Sequence, residues 1–302
     1  MIKTNKISNL KRLNFKNKSI VLLYLIKTAL KIKPTQNERN VYFYYNNLIN
    51  SDGYFHKETK NEYVSKFTHS YYKCIKTRKK PKSSDFDVFR MIYVSKEYLP
   101  VIEAYQENFS NDKEYVINII DAGSNIGLTA LFFIDHFKKA NMICIEPEME
   151  NFKVLEFNLL NANGNSINKI NGAIWSSNTN LKIVNDFGDR LDWSFRVEET
   201  DDLNCVQAFS INQLIHDYKF NYIDILKIDI EGSEKEIFDP SKSNLDFLKL
   251  TKCLVIEIHD FFDCREAIYK ILDDYDFSYF NKGELTICIN QKLLKRVNKI
   301  NF

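Results

Sequence analysis

The segment Val116-Ile-Asn-Ile-Ile-Asp-Ala-Gly-Ser-Asn-Ile-Gly127 predicts a strand, a turn and the start of a helix. Val116 to Ile120 is an almost unbroken run of β-branched apolar residues, which is typical of a strand buried on both faces of a parallel sheet. From Ile126 onwards the apolar residues recur at helical spacing. The N-terminus of the helix should therefore lie at the carboxyl end of the strand, where open α/β sheets bind their ligands.

The turn differs from a phosphate-binding loop. A pyrophosphate loop has the pattern Gly-x-Gly-x-x-Gly, whereas this turn has only Gly123 and Gly127, with Asp121 before them. A carboxylate at that position would repel a phosphate but would suit an ammonium or sulfonium group. This disfavours a nicotinamide-dependent oxidoreductase and favours S-adenosylmethionine, which carries both cationic groups. The alternative is that Asp121 is a strand-end carboxylate that caps the following helix.

A second acidic strand end supports a nucleoside ligand. The short strand Met142 to Ile145 ends at Glu146-Pro147, about 25 residues after Asp121 (146 − 121). An acidic residue roughly 20 residues beyond the glycine turn is where a ribose finds an acceptor for its hydroxyls. We therefore expect Glu146 to bind ribose, although an ordinary exposed turn residue is the alternative.

From residue 115 the sequence alternates strands and helices, which predicts parallel βαβ units. Residues 174–209 interrupt this alternation with up to three antiparallel strands, and we expect them to form an inserted flap. Ser210 is expected to cap the helix that follows. The predicted strands of the sheet are 116–121, 141–146, 166–171, 222–229, 252–258 and a closing hairpin of 277–280 with 285–289; the predicted flap strands are 181–184, 193–197 and 206–209; the predicted helices are 126–138, 149–162, 211–218, 230–236 and 264–275.

Residues 1–110 are expected to form a mainly helical, basic and aromatic-rich extension, and residues 111–302 a Rossmann-like domain. The apolar run Ile20–Ile26 is interrupted by lysine and is too short to span a bilayer, so it predicts an amphipathic helix. Residues 41–45 and 89–94 have the composition of strands, and residues 99–108 that of a helix. We expect this extension to be a helical cap with a short hairpin over the ligand cleft.

Charge and cysteine usage give coarser expectations. The chain has 302 residues and a net charge of +2, which gives no general support for nucleic-acid binding. Residues 1–33 nevertheless contain nine basic residues and no acidic one. Such a segment suits peripheral contact with an anionic membrane surface, or it is a solvated basic helix. The six cysteines show no metal-binding spacing, and we expect Cys144, Cys253 and Cys288 to be buried in strands of a cytoplasmic protein.

Four motifs together resemble the FkbM family of S-adenosylmethionine-dependent methyltransferases. They are D-A-G-S-N-I-G at 121–127, I-E-P-E-M-E-N at 145–151, L-K-I-D-I-E-G-S-E at 226–234 and I-E-I-H at 256–259. The resemblance covers about residues 115–260. It implies a class I methyltransferase fold, in which a seven-stranded, mostly parallel sheet has one reversed strand at an antiparallel edge hairpin. It also implies a set of cofactor-binding residues, namely Asp121, Gly123, Asn125 and Gly127, Glu146 and Pro147 at the ribose, and Ala173 near the adenine.

Three residues at strand ends are candidates for the chemistry. Asp229 and Glu231 follow the fourth strand of the parallel sheet, and either could remove a proton from an acceptor hydroxyl; the alternative is that they orient the cofactor and cap a helix. His259 is a second candidate base, or a structural histidine. The three could also bind Mg²⁺ or Mn²⁺, although no spacing requires a metal. Lys227 is expected to form a buried ion pair with Asp229 or Glu257.

These features predict an O-methyltransferase that uses S-adenosylmethionine. The family resemblance implies a small-molecule or glycan acceptor, with the hydroxyl on a sugar of a glycan or glycolipid or on a secondary metabolite. One alternative is an RNA methyltransferase that contacts phosphates through the N-terminal segment and the basic cluster at residues 73–82. Another is a binding module that retains the cofactor without catalysis.

Overall fold

The computed structural model describes residues 7–67, 74–81, 83–109, 112, 114–160, 162, 165–184, 196–200, 202 and 205–294. Lys3, Lys6, Lys73 and Lys82 of the basic segments lie outside the described residues, as do the first three residues of the flap strand predicted at 193–197.

Parallel strands form the centre of the molecule. The main sheet has seven strands in the order β13-β14-β12-β11-β4-β5-β6. All neighbouring pairs from β12 to β6 are parallel, and β14 is antiparallel to both of its neighbours. The predicted fold is therefore confirmed, including the edge hairpin. The strands of this sheet are β4 (Ile117–Ala122), β5 (Ala140–Glu146), β6 (Ser166–Asn171), β11 (Ile223–Ile228), β12 (Thr251–Glu257), β13 (Phe277–Lys282) and β14 (Leu285–Asn290).

Helices cover both faces of the sheet, and their apolar sides form two core clusters with it. Within the domain from residue 111 they are α5 (Leu128–Phe137), α6 (Met149–Leu159), α7 (Ile211–Asp217), α8 (Glu234–Ile237), α9 (Phe247–Leu250) and α10 (Arg265–Asp274). Ser210 caps α7 by accepting a hydrogen bond from the backbone of Gln213, as predicted. Cys144, Cys253 and Cys288 are buried in strands of the sheet, as expected.

The flap is a second, smaller sheet. Its order is β7-β10-β8-β9, from β7 (Ala173–Ile174), β8 (Asn180–Val184), β9 (Arg196–Glu199) and β10 (Val206–Phe209). The strands predicted at 181–184 and 206–209 are confirmed, and the pairings of β8 with β9 and β10 are antiparallel. The additional strand β7 pairs in parallel with β10 and links the flap to the end of β6.

The N-terminal extension combines helices with a small sheet. Its helices are α1 (Phe15–Ala29), α2 (Gln36–Asn50), α3 (Asp85–Phe89) and α4 (Leu99–Asn108), and its antiparallel sheet contains β1 (Gly53–Glu58), β2 (Glu62–Phe67) and β3 (Cys74–Arg78). The sheet therefore has three strands where a hairpin was predicted. Asn158 on α6 joins it to the larger domain, because its side chain both accepts a hydrogen bond from the backbone N–H of Lys76 (2.7 Å) and donates one to the carbonyl of Lys76 (3.2 Å).

Two strand predictions in the extension were wrong. Residues 41–45 lie within α2, which begins at a capping box formed by Thr35 and Glu38 and buries residues three and four apart, such as Val41, Tyr44, Tyr45 and Leu48. Residues 90–94 form a short π-helix directly after α3, with Ile92 buried. In both places the β-branched and aromatic composition suited a strand, but packing on one face selected a helix. The predictions of α1 and α4 are confirmed.

A buried polar network connects α4 to the amino-terminal ends of β4, β11 and β12. Asp224 at the start of β11 is fully buried. Its carboxylate accepts hydrogen bonds from the Tyr105 hydroxyl (2.8 Å) and the backbone N–H of Asn118 (2.8 Å), and it pairs with Lys252 (2.6 Å). Since buried carboxylates are costly unless they are paired, this network fixes the extension against the sheet.

Candidate active site

A cavity of about 430 Å³ opens at the carboxyl ends of β4, β5, β11 and β12. Its lining contains five of the seven predicted cofactor residues, namely Gly123, Asn125, Glu146, Pro147 and Ala173. The three predicted catalytic residues, Asp229, Glu231 and His259, also line it. Residues 88–98 of the extension contribute another part of the wall.

The glycine turn is held very close to β11. Gly123 has φ +77°, and a Cβ placed on it would lie 1.8 Å from the carbonyl oxygen of Asp229. No side chain can occupy that space without moving backbone. The N–H groups of Gly123 and Ser124 both donate to the carbonyl of Ile145, at 3.0 and 2.9 Å. The turn is therefore tied to the ends of both neighbouring strands, and glycine is required at this position.

The ammonium group of Lys227 joins the ends of β4 and β11. It lies 3.3 Å from carboxylate oxygens of both Asp121 and Asp229. It also donates to the carbonyl oxygens of Gly123 (2.6 Å) and Ala122 (3.3 Å). Burial lowers the pKa of Lys227, but the charges of Asp229 and Asp121 outweigh burial and hold that pKa well above its usual value. The predicted pairing with Asp229 is confirmed, and the pairing with Asp121 is an addition.

Two predicted cofactor residues do not line the cavity. Asp121 is fully buried, and its carboxylate pairs with Lys227, which lies directly opposite it in the register of β4 and β11. Its negative charge is therefore balanced inside the protein and does not face a cationic ligand. Gly127 has φ +80° and precedes α5, and a Cβ there would press against Leu159 and Leu155 on α6. Asp121 and Gly127 therefore support the conformation of the turn without lining the cavity.

Glu146 fixes the other side of the turn. Its carboxylate accepts hydrogen bonds from the backbone N–H groups of Asn125 (2.8 Å) and Glu148 (3.0 Å) and from the amide of Asn151 (3.3 Å). Burial raises the pKa of Glu146 to about 7, although these hydrogen bonds oppose the shift. The carboxylate lines the cavity at the position expected for a ribose acceptor, and it also orders the loop that carries Asn125.

His259 is oriented by a buried carboxylate. Its Nδ1 lies 2.9 Å from Oε1 of Glu234, whose side chain is fully buried, and its Nε2 lies 3.4 Å from Oε2 of Glu231. Burial lowers the pKa of His259, but the hydrogen bond to Glu234 and the surrounding negative charges outweigh burial and raise that pKa to about 9. When the ring is neutral and its proton is on Nδ1 bonded to Glu234, Nε2 is the basic nitrogen, and it lies 3.4 Å from Oε2 of Glu231 and 3.9 Å from Oε1 of Glu257.

Carboxyl groups are the most numerous ionisable groups in the described lining of the cavity. Burial and the charge of Asp229 raise the pKa of Glu231 to about 8. The charge of Asp229 and burial raise the pKa of Glu257 to about 9. The described lining contains six carboxyl groups and the ammonium group of Lys227. The six are Glu97, Glu146, Asp229, Glu231, Glu257 and Glu284.

The same cluster offers one possible metal-binding set. Asp229, Glu231 and His259 each offer one ligand atom, and these atoms lie within 4.8 Å of one another. Lys227 already pairs with Asp229, so a metal ion at this set would compete with that ammonium group for the carboxylate.

Two features of this site were not predicted from the sequence. Glu234 was quoted in the third motif without a role, and its distance from His259 depends on the left-handed turn at Glu231 (φ +52°) and Gly232 (φ +90°). Glu97 and Tyr98, from the extension, line the cavity although no motif marks them. The sequence feature that could have identified Glu234 is an acidic residue shortly after a glycine turn. No comparable sequence feature marks Glu97.

The sequence matches a family model described as the methyltransferase FkbM domain over residues 121–279. That range is 159 residues (279 − 121 + 1), more than half of the 302. The chain belongs to the FkbM methyltransferase family. This confirms the family that the four motifs indicated, and membership implies S-adenosylmethionine as the methyl donor.

Solved structures with a similar fold include an FkbM methyltransferase from Methylobacillus flagellatus KT, at 16% identity and a TM-score of 0.37. The match covers 68% of this chain and 53% of that one, so this chain spans about half of its length. An rRNA methylase from Streptococcus thermophilus matches at 11% identity and a TM-score of 0.38, covering 64% of this chain and 96% of that one. No curated protein sequence matches the chain significantly.

The residues present fit S-adenosylmethionine. The turn at Gly123 leaves bare backbone at the cavity wall, and the Glu146 carboxylate lines the cavity nearby. Among the described residues, the buried side-chain oxygen of Asn125 has no hydrogen-bond partner, although Asn125 lines the cavity. A buried polar atom without a partner is costly, and a polar ligand would satisfy it. Gly123, Asn125, Glu146, Pro147 and Ala173 would therefore hold the donor.

Proposed function

We propose that this protein is an S-adenosylmethionine-dependent O-methyltransferase whose acceptor hydroxyl belongs to a sugar of a glycan or glycolipid, or to a secondary metabolite. The observation that carries the proposal is the Glu234–His259 pair beside the turn at Gly123. It supports the proposal because His259 lines the same cavity as the residues that fit the donor, and the buried Glu234 carboxylate orients its ring. The sugar component is the family expectation and is the part most open to test.

The donor supplies an electrophilic methyl carbon on a sulfonium centre. The protein must align the acceptor oxygen with that carbon and remove the hydroxyl proton. Alignment accounts for much of the acceleration in such displacements. Nε2 of His259 accepts the proton while Nδ1 keeps its hydrogen bond to Glu234, and the negative charges of Glu234 and Glu231 stabilise the imidazolium that forms. The oxygen would gain the methyl group as its O–H bond breaks, and the electron pair of the S–CH₃ bond would return to sulfur, so that the leaving group is the neutral thioether S-adenosylhomocysteine.

The charge of the cavity favours some acceptors over others. Six carboxyl groups and one buried ammonium line it, and the ammonium is already paired with Asp121 and Asp229. Such a site favours a neutral acceptor over a polyanion, because the two basic side chains that line the described cavity, Lys227 and His259, already pair with carboxylates of the protein. This supports a neutral sugar hydroxyl over the RNA alternative and over a phosphate next to the reacting hydroxyl.

The first test is binding of S-adenosylhomocysteine, measured by calorimetry on the full chain, followed by turnover with a panel of neutral, amino and phosphorylated sugars. We expect binding of the demethylated donor and methyl transfer to neutral sugars. Absence of binding would contradict the proposal as a whole. Binding without turnover on any acceptor would favour the non-catalytic module instead.

The second test assigns the base. His259→Gln should lower kcat by about 10²- to 10⁴-fold, and Glu234→Gln should lower it by a smaller factor, with little change in donor affinity. His216→Gln, at an exposed histidine of α7, is the matched control and should have no effect.

Because the pKa of His259 is raised to about 9, its neutral form increases as the pH rises, and kcat of the wild type should increase between pH 7 and 9. The variant Glu231→Gln should keep this increase and shift it to lower pH, because a negative neighbour has been removed. A Glu231→Gln variant that loses the increase, together with a His259→Gln variant that keeps it, would assign the base to Glu231.

A further inference from the structure

Helix α1 carries an apolar face that the described part of the protein leaves uncovered. Phe15, Leu22 and Ile26 lie at helical spacing on one side, with Leu23 and Leu30 next to them. Phe15 is 85% exposed and Leu30 is 64% exposed. Soluble proteins rarely expose a contiguous set of large apolar side chains, and such patches usually mark an interaction site.

The opposite side of α1 accounts for its attachment to the protein. Val21 is fully buried, and the ring of Tyr24 stacks on that of Tyr42 in α2 with centroids 4.1 Å apart. The Lys27 ammonium pairs with Glu38 of α2 at 2.7 Å. The helix is therefore held by one face and presents the other, so the exposed residues are not needed to keep it folded.

Basic side chains accompany the apolar face. The sequence from residue 1 to residue 33 contains no acidic residue. Three of its basic side chains are neutralised within the protein, by pairs of Arg12 with Asp52, Lys16 with Glu58, and Lys27 with Glu38. Among the described residues, no ion pair is formed by Lys11, Lys18, Lys31 or Lys33.

We propose that α1 is an interfacial helix that binds the surface of an anionic phospholipid bilayer. Its apolar side chains would enter the boundary of the acyl chains, and Lys11, Lys18, Lys31 and Lys33 would contact the lipid headgroups. A helix of 15 residues is about 22 Å long and would lie along the surface. No helix in the described residues has the length and apolarity needed to cross a bilayer.

Helix α1 and part of the cavity wall belong to the same extension. Helix α1 packs on α2, and the π-helix at residues 90–94 of the same extension supplies Met91 and Ile92 to the cavity wall. The membrane proposal does not depend on the proposed reaction, since it is tested by binding alone.

Vesicle flotation of the full chain tests the proposal directly. We expect the protein to float with vesicles of phosphatidylcholine and phosphatidylserine, to remain unbound with phosphatidylcholine alone, and to dissociate as salt is raised. Leu22→Ser combined with Ile26→Ser should lower the partition coefficient by about tenfold or more. Lys18→Gln and Lys31→Gln should each lower it by about fivefold.

Matched controls separate this effect from general surface changes. Leu160→Ser, at a leucine that is also exposed, and Lys219→Gln, at an exposed lysine of the Rossmann-like domain, should leave the partition coefficient unchanged. Thermal unfolding of every variant should match that of the wild type, because none of the substituted side chains is buried.

Three results would overturn the proposal. The first is a wild type that does not float with anionic vesicles. The second is a set of α1 variants that bind these vesicles as tightly as the wild type does. A wild-type dimer in light scattering that dissociates in the Leu22→Ser and Ile26→Ser variant would show that a second copy covers this face instead.

Discussion

The backbone of Gly123 lies against the carbonyl oxygen of Asp229, where a Cβ would be only 1.8 Å away. Gly283 offers a natural comparison, because it also has positive φ (+62°) but has open space around its Cβ position. An alanine at either position would have a strained backbone because φ is positive. Only at position 123 would its Cβ also clash with neighbouring atoms.

We predict that Gly123→Ala abolishes donor binding and destabilises the protein by more than Gly283→Ala. Gly283→Ala should cost about 1–2 kcal/mol, the penalty for a left-handed alanine. Gly123→Ala must in addition push β4 and β11 apart. Urea unfolding and calorimetry with S-adenosylhomocysteine measure the two effects. Equal losses of stability in the two variants would contradict the close approach.

For single residues, the sequence predicted which side chains lie at the site better than it predicted what those side chains contact. The motifs placed Asp229, Glu231 and His259 at strand ends, and the structure brings all three to one cavity. The sequence placed Asp121 opposite a cationic ligand, whereas the register of β4 and β11 places it opposite Lys227. Register between two strands a hundred residues apart is a tertiary property, so the partner of Asp121 could not be deduced from local pattern.

At the scale of elements, β4 and β11 are joined at their carboxyl ends by one buried side chain, that of Lys227. Lys227 balances the carboxylates of Asp121 and Asp229 and donates to the backbone of the glycine turn. If it is removed, Asp121 remains buried with an uncompensated charge.

We predict that Lys227→Met lowers the free energy of unfolding by about 3–5 kcal/mol, the usual result of breaking a buried pair. Adding Asp121→Asn should recover part of the loss, because the charge left without a partner is removed. Lys249→Met, which breaks an exposed pair with Asp246, is the control and should cost at most about 1 kcal/mol. Urea unfolding of the four proteins provides the measurement; a double variant as unstable as Lys227→Met would argue against charge burial as the cause.

Elements with a strong period were predicted well. The strands and helices from residue 115 onwards alternate clearly, and their observed bounds differ from the predicted ones by a few residues. The exception is the helix predicted at 230–236, which is reduced to α8 because the left-handed residues Glu231 and Gly232 delay its start. In the extension, α2 has a composition typical of strands, and its capping box together with its packing against α1 and β1 makes it helical.

At the scale of the whole molecule, the titratable groups of the cavity make the free energy of unfolding depend on pH. The pKa values of Glu231, Glu257 and His259 are raised to about 8, 9 and 9, so the folded protein retains protons that the unfolded chain releases at lower pH. Stability from these groups is therefore fully present below their ordinary pKa values, near 4.5 for glutamate and 6.5 for histidine, and is lost as the pH rises through the raised values.

We predict that the ligand-free protein becomes less stable between pH 5 and pH 9, with a fall of several degrees in Tm. Glu257→Gln should flatten the dependence, because one of the groups that must lose a proton is removed. Calorimetric scans at several pH values measure the effect. A Tm that is constant or rises over this range would show that the cluster is not protonated as described.

The topology of the sheet could be predicted from sequence, because the motifs fix the family and the family fixes the strand order. The docking of the extension could not be predicted. It depends on contacts over long sequence separation, such as those of Asn158 with Lys76 and of Tyr105 with Asp224.

The origin of the cavity walls has a consequence for how such enzymes diversify. The donor side is built within residues 121–279, whereas Val88, Met91, Glu97 and Glu284 enter from outside that range. Mutations in the extension can therefore remodel what the pocket accepts while the machinery that holds the methyl source stays intact. Substitutions within residues 83–109 are accordingly a rational route to altered acceptor preference in this protein.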